Sequence, residues 1–197
     1  MDKPASTNYP ILPLLTTRWS PRAFSKQPVE REKLQRIFEA ARWAPSASNE
    51  QPWSFIIGFD GDETFRLIFE SLVEFNQLWV KTASILVVAV GKKTSSKSGR
   101  PNQWVRYDVG QAVAHLSVQA THEGLFVHQM GGFDGQKLIK SFSIPDDYEP
   151  ITVFTVGYQG DIKELHPNQQ ELELAERTRK SQEGFIFAGK FGEKTIL

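Results

Sequence analysis

The sequence predicts a single helix-covered β-sheet domain, α/β or α+β in class. Three observations lead there. Apolar, β-branched runs such as Ile85–Val90 have the length of buried strands. Between such runs, apolar residues recur at helical spacing, as in Leu34, Ile37, Phe38 and Ala41. The two patterns alternate along 197 residues with no internal repeat and no domain boundary, so one domain over 1–197 is expected.

Residues 31–43 form the first helix, which Pro45 ends because the residue before a proline avoids the helical region. Ser54–Phe59 is a buried strand closed by the turn signal Asp60-Gly61-Asp62. Residues 63–80 then read as one helix through Phe65, Ile68, Phe69, Leu72 and Trp79. Ile85–Val90 is the second strand, and the serine-rich stretch Lys92–Asn102 is a polar loop expected to be mobile. Val109, Ala112, Val113, Leu116 and Ala120 mark a third, buried helix with Gly124 at its C-cap. Phe126–Met130 and Ile151–Val156 supply further strands around a short helix, Gly135–Phe142. Past His166 the character changes. Gln169–Arg179 is polar and charged, and Gly184–Gly189 is apolar again. That order fits a tail folded back on its own core, and equally a segment, about 181–197, that packs on another subunit.

Acidic and basic residues cancel at 23 each, so no global field favours nucleic acid or an anionic membrane. Any anion site must be built locally. The absence of cysteine excludes disulfides, iron–sulfur ligation and thiol catalysis, and fits a reducing cytoplasm. Four scattered histidines show no metal-ligand spacing, so no metal site is expected. The start carries no charged-then-apolar signal pattern, and the longest apolar run is too short for a bilayer.

Local anion chemistry is offered at Arg18-Trp19-Ser20-Pro21-Arg22. In an extended stretch Arg18, Ser20 and Arg22 point the same way and can converge on one ligand, with arginines suited to bidentate bonds to phosphate. Read blandly, this is a solvated loop before a helix whose N-cap is Ser25. Pro45-Ser46-Ala47-Ser48-Asn49-Glu50-Gln51-Pro52-Trp53 concentrates side-chain hydrogen-bonders between two prolines, fit to meet the polar edge of a planar heterocycle or to make an elaborate turn. Trp53 reads as a core anchor. Arg177-Thr178-Arg179-Lys180 is a second basic cluster, of interest only if it meets Arg18 and Arg22. Gly131-Gly132 allows close backbone approach to a flat ligand, or a tight turn. Asn76 and Asp108 fit caps or packing contacts as well as ligand contacts. Neither a dinucleotide fingerprint nor a P-loop is present.

The order R-x-S-x-R-x-F, helix, A-P-S-x-x-N-x-Q-P-W-x-F-I resembles the signature of the nitroreductase family. Further similarities follow in order: Asn76 before Trp79, Asp108-Val109-Gly110, Gly124-Leu125, Met130–Asp134, Gly157-Tyr158 and Arg177-x-Arg179. The likeness runs from about Leu14 to Gly192. It implies an α+β nitroreductase-like fold, with a central, mostly antiparallel sheet flanked by helices. It also implies an intertwined homodimer with two FMN sites at the subunit interface. Carried over by position, Arg18 would lie at the phosphate and Arg22 near flavin N1 and O2, with Trp19 and Ser20 between them. Asn76 would meet the pyrimidine edge, and the backbone of Gly131 and Gly132 would pass near N5. Arg177 and Arg179 would complete the phosphate clamp. Pro45, Ser46, Ala47, Ser48 and Asn49 would come from the partner subunit.

The sequence departs from relatives at three places. Trp19 stands where many carry Arg or His, Trp79 where some carry a lysine, and Gly131 where some carry Glu. The resemblance implies ping-pong turnover through flavin N5, with NAD(P)H as reductant and nitroaromatics, quinones or similar electron-poor acceptors. No side chain need act as acid or base, so no catalytic residue is named. His128, Met130 and Phe133 are candidates to line the acceptor pocket. The alternative is a flavin-binding or flavin-modifying member, dehalogenase-like or flavin-fragmenting, without general NAD(P)H nitroreductase activity.

Overall fold

The computed structural model describes residues 2–195; Met1 and Ile196-Leu197, at the ends of the expected 1–197 domain and 181–197 segment, lie outside the described residues. Four strands, β1 (Trp53–Phe59), β2 (Ile85–Lys92), β3 (Phe126–Met130) and β4 (Tyr148–Gly157), form one sheet in the order β1-β2-β4-β3. Every pairing is antiparallel. Among the described residues seven α-helices accompany it: α1 (Pro13–Thr17), α2 (Arg31–Arg42), α3 (Glu63–Ser71), α4 (Glu74–Val80), α5 (Val105–His122), α6 (Gly135–Phe142) and α7 (Pro167–Leu174). The class is therefore α+β.

β2 explains the layering. Its side chains alternate between the two faces of the sheet, and nearly all are buried, so both faces must be covered. Ile85, Val87 and Ala89 pack into a core with Leu34 and Ile37 of α2 and Val109, Val113 and Leu116 of α5. Leu86, Val88 and Val90 pack on the other face with Phe65 and Ile68 of α3, Trp79 of α4 and Leu138 of α6. Among the described residues no helix is long and apolar enough to cross a membrane.

Most expected elements occur within a few residues of their expected ends, and Phe126–Met130 and Gly135–Phe142 coincide with theirs. Gly124 sits past the end of α5 with φ +73°, the left-handed turn glycine adopts without strain. Three expectations are corrected. Residues 63–80 are two helices, because the chain between them pairs with another loop. Leu72 bridges Phe133, the Val73 amide donates to the Gly132 carbonyl at 3.1 Å, and the Asp134 amide to the Ser71 carbonyl at 2.7 Å. Helix α2 starts at Arg31 with Glu30 as N-cap, while the Ser25 amide pairs with the Tyr158 carbonyl, so Ser25 caps nothing there. In the polar tail only Pro167–Leu174 is regular helix. The loop 92–102 is folded on itself, with a Thr94–Pro101 bridge and the Ser95 amide donating to the Arg100 carbonyl at 2.8 Å. Ser181, Gln182, Glu183, Ile186, Lys194 and Thr195 share a cavity with Asn8 and Tyr9 of the same chain, while Phe191 is 96% exposed.

Candidate functional site

The stretch Arg18–Arg22 leaves α1 and is fixed to β3. Three side chains from other elements hold its main chain. His128 of β3 makes a 2.8 Å hydrogen bond to the Pro21 carbonyl through Nδ1, which must therefore carry the proton. Its ring also lies 4.5 Å from that of Trp79. Burial, then the charge of Arg22, pulls the His128 imidazole down to about 4, so it is neutral at pH 7. Glu173 of α7 accepts the Arg22 amide with both oxygens at 2.9 Å and the Ala23 amide at 3.1 Å. Arg177 donates to the carbonyls of Lys3, Thr16 and Arg18, the last two at 2.9 and 2.8 Å.

This scaffolding aims the two arginines differently. Arg18 donates to Ser20 Oγ at 3.3 Å and lines a cavity of about 580 Å³ together with Arg177, Arg179 and Lys180. Burial lowers the Arg18 pKa, and the charges of Arg177 and Arg179 lower it further, yet a guanidinium stays protonated throughout the working range. The residues lining that cavity include no carboxylate. Like charges gathered without counter-charge are costly, and an anion in the cavity would relieve the cost. Arg22 turns inward: its Nη1 is 3.9 Å from Glu173 Oε2, and its Nε is buried without an acceptor. An unsatisfied buried donor costs roughly 1–3 kcal/mol, which a ligand acceptor would recover.

Asn76 of α4 donates through Nδ2 to the Gly132 carbonyl at 3.1 Å, so its orientation is fixed. The two glycines differ in reason. A Cβ on Gly132 would come within 2.8 Å of Val73 Cγ2 and 3.1 Å of Asn76 Nδ2, so glycine there is required by the packing of α4. A Cβ on Gly131 would meet nothing within 4 Å, leaving open space over that backbone. The His128 ring thus meets Trp79 of α4, and Asn76, three residues earlier on the same helix, meets Gly132. Trp19 is buried against Phe126, with the Lys3 ammonium 5.0 Å from its ring, which leaves only its backbone for a ligand. Arg179 is exposed and reaches the cavity from the chain's later part.

His128 and Met130 do not line an open pocket, contrary to expectation. Met130 is 3% exposed in the second core, Phe133 packs against that core, and His128 is occupied beneath Pro21. Trp79 is fully buried and stacks on Phe24, so it does not stand at the surface as a lysine would.

Pro45–Asn49 lies elsewhere on the protomer. Asp108, in the first turn of α5 and 1% exposed, accepts the Ala47 amide at 3.1 Å; burial raises its carboxyl pKa. Gln111 of the same helix donates to the Pro45 carbonyl at 3.4 Å. Ser46 Oγ accepts the Gln51 amide at 3.0 Å, closing the turn. Glu50 takes the Ser95 hydroxyl at 2.6 Å and the Ser96 amide at 2.8 Å, and Lys97 reaches the Ser48 carbonyl. Ser48, Asn49 and Gln51 all have φ between 50° and 55°, a left-handed conformation costly for residues with a Cβ.

These two stretches sit at opposite edges of the sheet. Pro45–Asn49 leads into β1, and Arg18–Arg22 is fixed to β3. Three inter-strand spacings, about 14 Å, separate the edges. Sequence reasoning missed Glu173, because an acidic residue in a polar helix carries no signal of burial. Its one hint is Gln169, one turn earlier on the same face and also 1% exposed.

A single antiparallel sheet with helices on both faces defines the class, an α+β domain, and beside it stands a cavity lined by Arg18, Arg177 and Arg179. The family model named Nitroreductase family matches residues 15–67 and 58–158. The chain belongs to the nitroreductase family. Its fold superposes with a TM-score of 0.89 on an oxidoreductase containing FMN, 34% identical and covering 96% of each chain. A nitroreductase family protein from Clostridium difficile 630 gives a TM-score of 0.71 at 25% identity, over 90% of this chain and 97% of that one. A protein from Archaeoglobus fulgidus named "Putative NADH dehydrogenase/NAD(P)H nitroreductase" is 28% identical over 79% of this chain and 88% of its own length.

Proposed function

We propose that this chain is an FMN-dependent oxidoreductase that uses NAD(P)H to reduce nitroaromatic, quinone or similar electron-poor acceptors. The observation that carries the proposal is the cavity lined by Arg18, Arg177 and Arg179 without a carboxylate, joined on the same short stretch by Arg22, whose buried Nε lacks an acceptor. Those groups fit a phosphorylated heterocycle: three cations for the phosphate, and a fixed donor plus Asn76 for the polar ring edge. FMN, when bound, would supply the hydride-transfer redox chemistry between NAD(P)H and the acceptor.

What the chain supplies is binding and orientation. Arg18, with Ser20, and Arg179 would hold the phosphate, while Arg177 spends three of its bonds fixing the backbone that carries Arg18. Arg22 and Asn76 would hold the pyrimidine edge, and the open backbone at Gly131 would admit the ring. No side chain is assigned as acid or base. Pro45, Ser46, Ala47, Ser48 and Asn49 would complete the site of a second protomer, since the sheet separates them from Arg18 and Arg22 in their own. The functional unit is accordingly a homodimer.

Purified protein is expected to be yellow, with flavin absorbance that bleaches anaerobically on adding NADH or NADPH. Colourless protein that cannot be reconstituted with FMN would overturn the proposal. Colour without bleaching would favour a flavin-binding member lacking the nicotinamide step.

A further inference from the structure

Glu173 is 1% exposed on a helix whose neighbouring positions Glu171, Leu172 and Leu174 face solvent. Its carboxylate is bonded to the Arg22 amide through both oxygens at 2.9 Å and to the Ala23 amide at 3.1 Å. The cation paired with it is the guanidinium of Arg22 itself, at 3.9 Å from Oε2. Lys3 approaches the same residue but gives its ammonium to the main-chain carbonyl, at 2.6 Å. Two amides thus make three hydrogen bonds to a desolvated carboxylate that lies beside the guanidinium. The interaction is reciprocal. A buried negative charge less than 4 Å from Arg22 acts through low dielectric and cancels much of the field that Arg22 would exert alone.

We propose that Glu173 is a positioning residue that fixes the main chain of Arg22 and offsets its charge, so that a ligand ring beside Arg22 meets a nearly neutral pair. This rests on the reading of Arg22 as the cation at the pyrimidine edge of FMN. An offset cation stabilises negative charge on that edge less than a free one does. The bound flavin is therefore held at a lower potential, and binds an anionic nucleophile such as sulfite more weakly, than Arg22 alone would dictate.

The test uses the FMN-loaded protein and compares wild type with Glu173→Gln, which keeps the side-chain volume and one acceptor oxygen for the two amides. The variant is expected to show a raised flavin midpoint potential and sulfite affinity increased tenfold or more. A potential and sulfite affinity that are unchanged or lower would overturn the assignment. A purely structural Glu173 gives that second result, because a displaced Arg22 stabilises the flavin less. Glu173→Asp keeps the charge and is expected to bind sulfite within twofold of wild type. A tenfold change with Asp also overturns the assignment, and this arm stands even if the Gln variant does not fold. Wild-type protein that takes up no FMN overturns the flavin reading, and this inference with it. Loaded wild type with an unresponsive Glu173→Gln overturns only the assignment to Glu173.

Discussion

The two stretches proposed to carry the site are held in opposite ways. Arg18–Arg22 is gripped by three side chains remote in sequence: His128, Glu173 and Arg177. Two of them, His128 and Glu173, are buried or nearly so. Ser46–Gln51 contains three residues at positive φ and is fastened mainly by groups at or near the surface, Glu50, Ser95 and Lys97, with Asp108 as its one deeply buried anchor. The difference teaches where each stretch gets its shape. The first is positioned by tertiary contacts within its own protomer. The second holds a strained local form whose exposed residues, Ser48 and Asn49, make few contacts there, as a surface meant to meet another protomer would.

The largest expected effect tests the grip on the first stretch. Arg177→Ala removes three charge-assisted bonds to backbone carbonyls, and should lower unfolding stability by about 4 kcal/mol in a urea titration. A loss under about 1 kcal/mol would mean the stretch holds its shape without that residue. It should also weaken FMN binding, since the carbonyl of Arg18 is one of the three.

Acid should act on the same stretch. His128 falls from its ordinary 6.5 to about 4 in the fold, so between those values the unfolded chain binds the extra proton. This contribution is complete above pH 6.5 and is lost as pH falls toward 4, amounting to about 3 kcal/mol. His128→Gln, which can still donate to Pro21, should flatten that limb of the stability profile. An unchanged acid limb would remove His128 from the account.

The smallest effect has the opposite sign. Gln51→Gly relieves a positive φ of 50° at the cost of greater freedom in the unfolded chain, for a net gain of about 0.5 kcal/mol. Thermal denaturation would show the midpoint rising slightly. A destabilised variant would mean that the Gln51 side chain, which donates to the Asn49 carbonyl at 3.3 Å, matters more than the strain.

How much could be read in advance follows from how local each signal is. The β2 run and the stripe on α2 announce themselves because periodic burial is written directly into residue order. The break between α3 and α4 does not, since Leu72 and Val73 continue the apolar pattern. They leave the helix only because the loop at Gly132–Asp134 takes their backbone groups. His128 looked like a pocket residue and is a strut, as sequence distance hides that Pro21 lies over it.

The sequence by itself determined the alternation of helices and strands, the residues able to bind an anion, and the family, because each rests on residue type and spacing. Only the tertiary structure decided what those residues face. It gave Arg177 bonds to the backbone beside Arg18, and it buried Glu173 against Arg22 across 151 positions. It also set the two candidate stretches, Arg18–Arg22 and Pro45–Asn49, at opposite edges of one sheet. The physical reason is the same in each case: a charge's role depends on its partners and its desolvation, and both are settled by contacts between residues far apart in the chain.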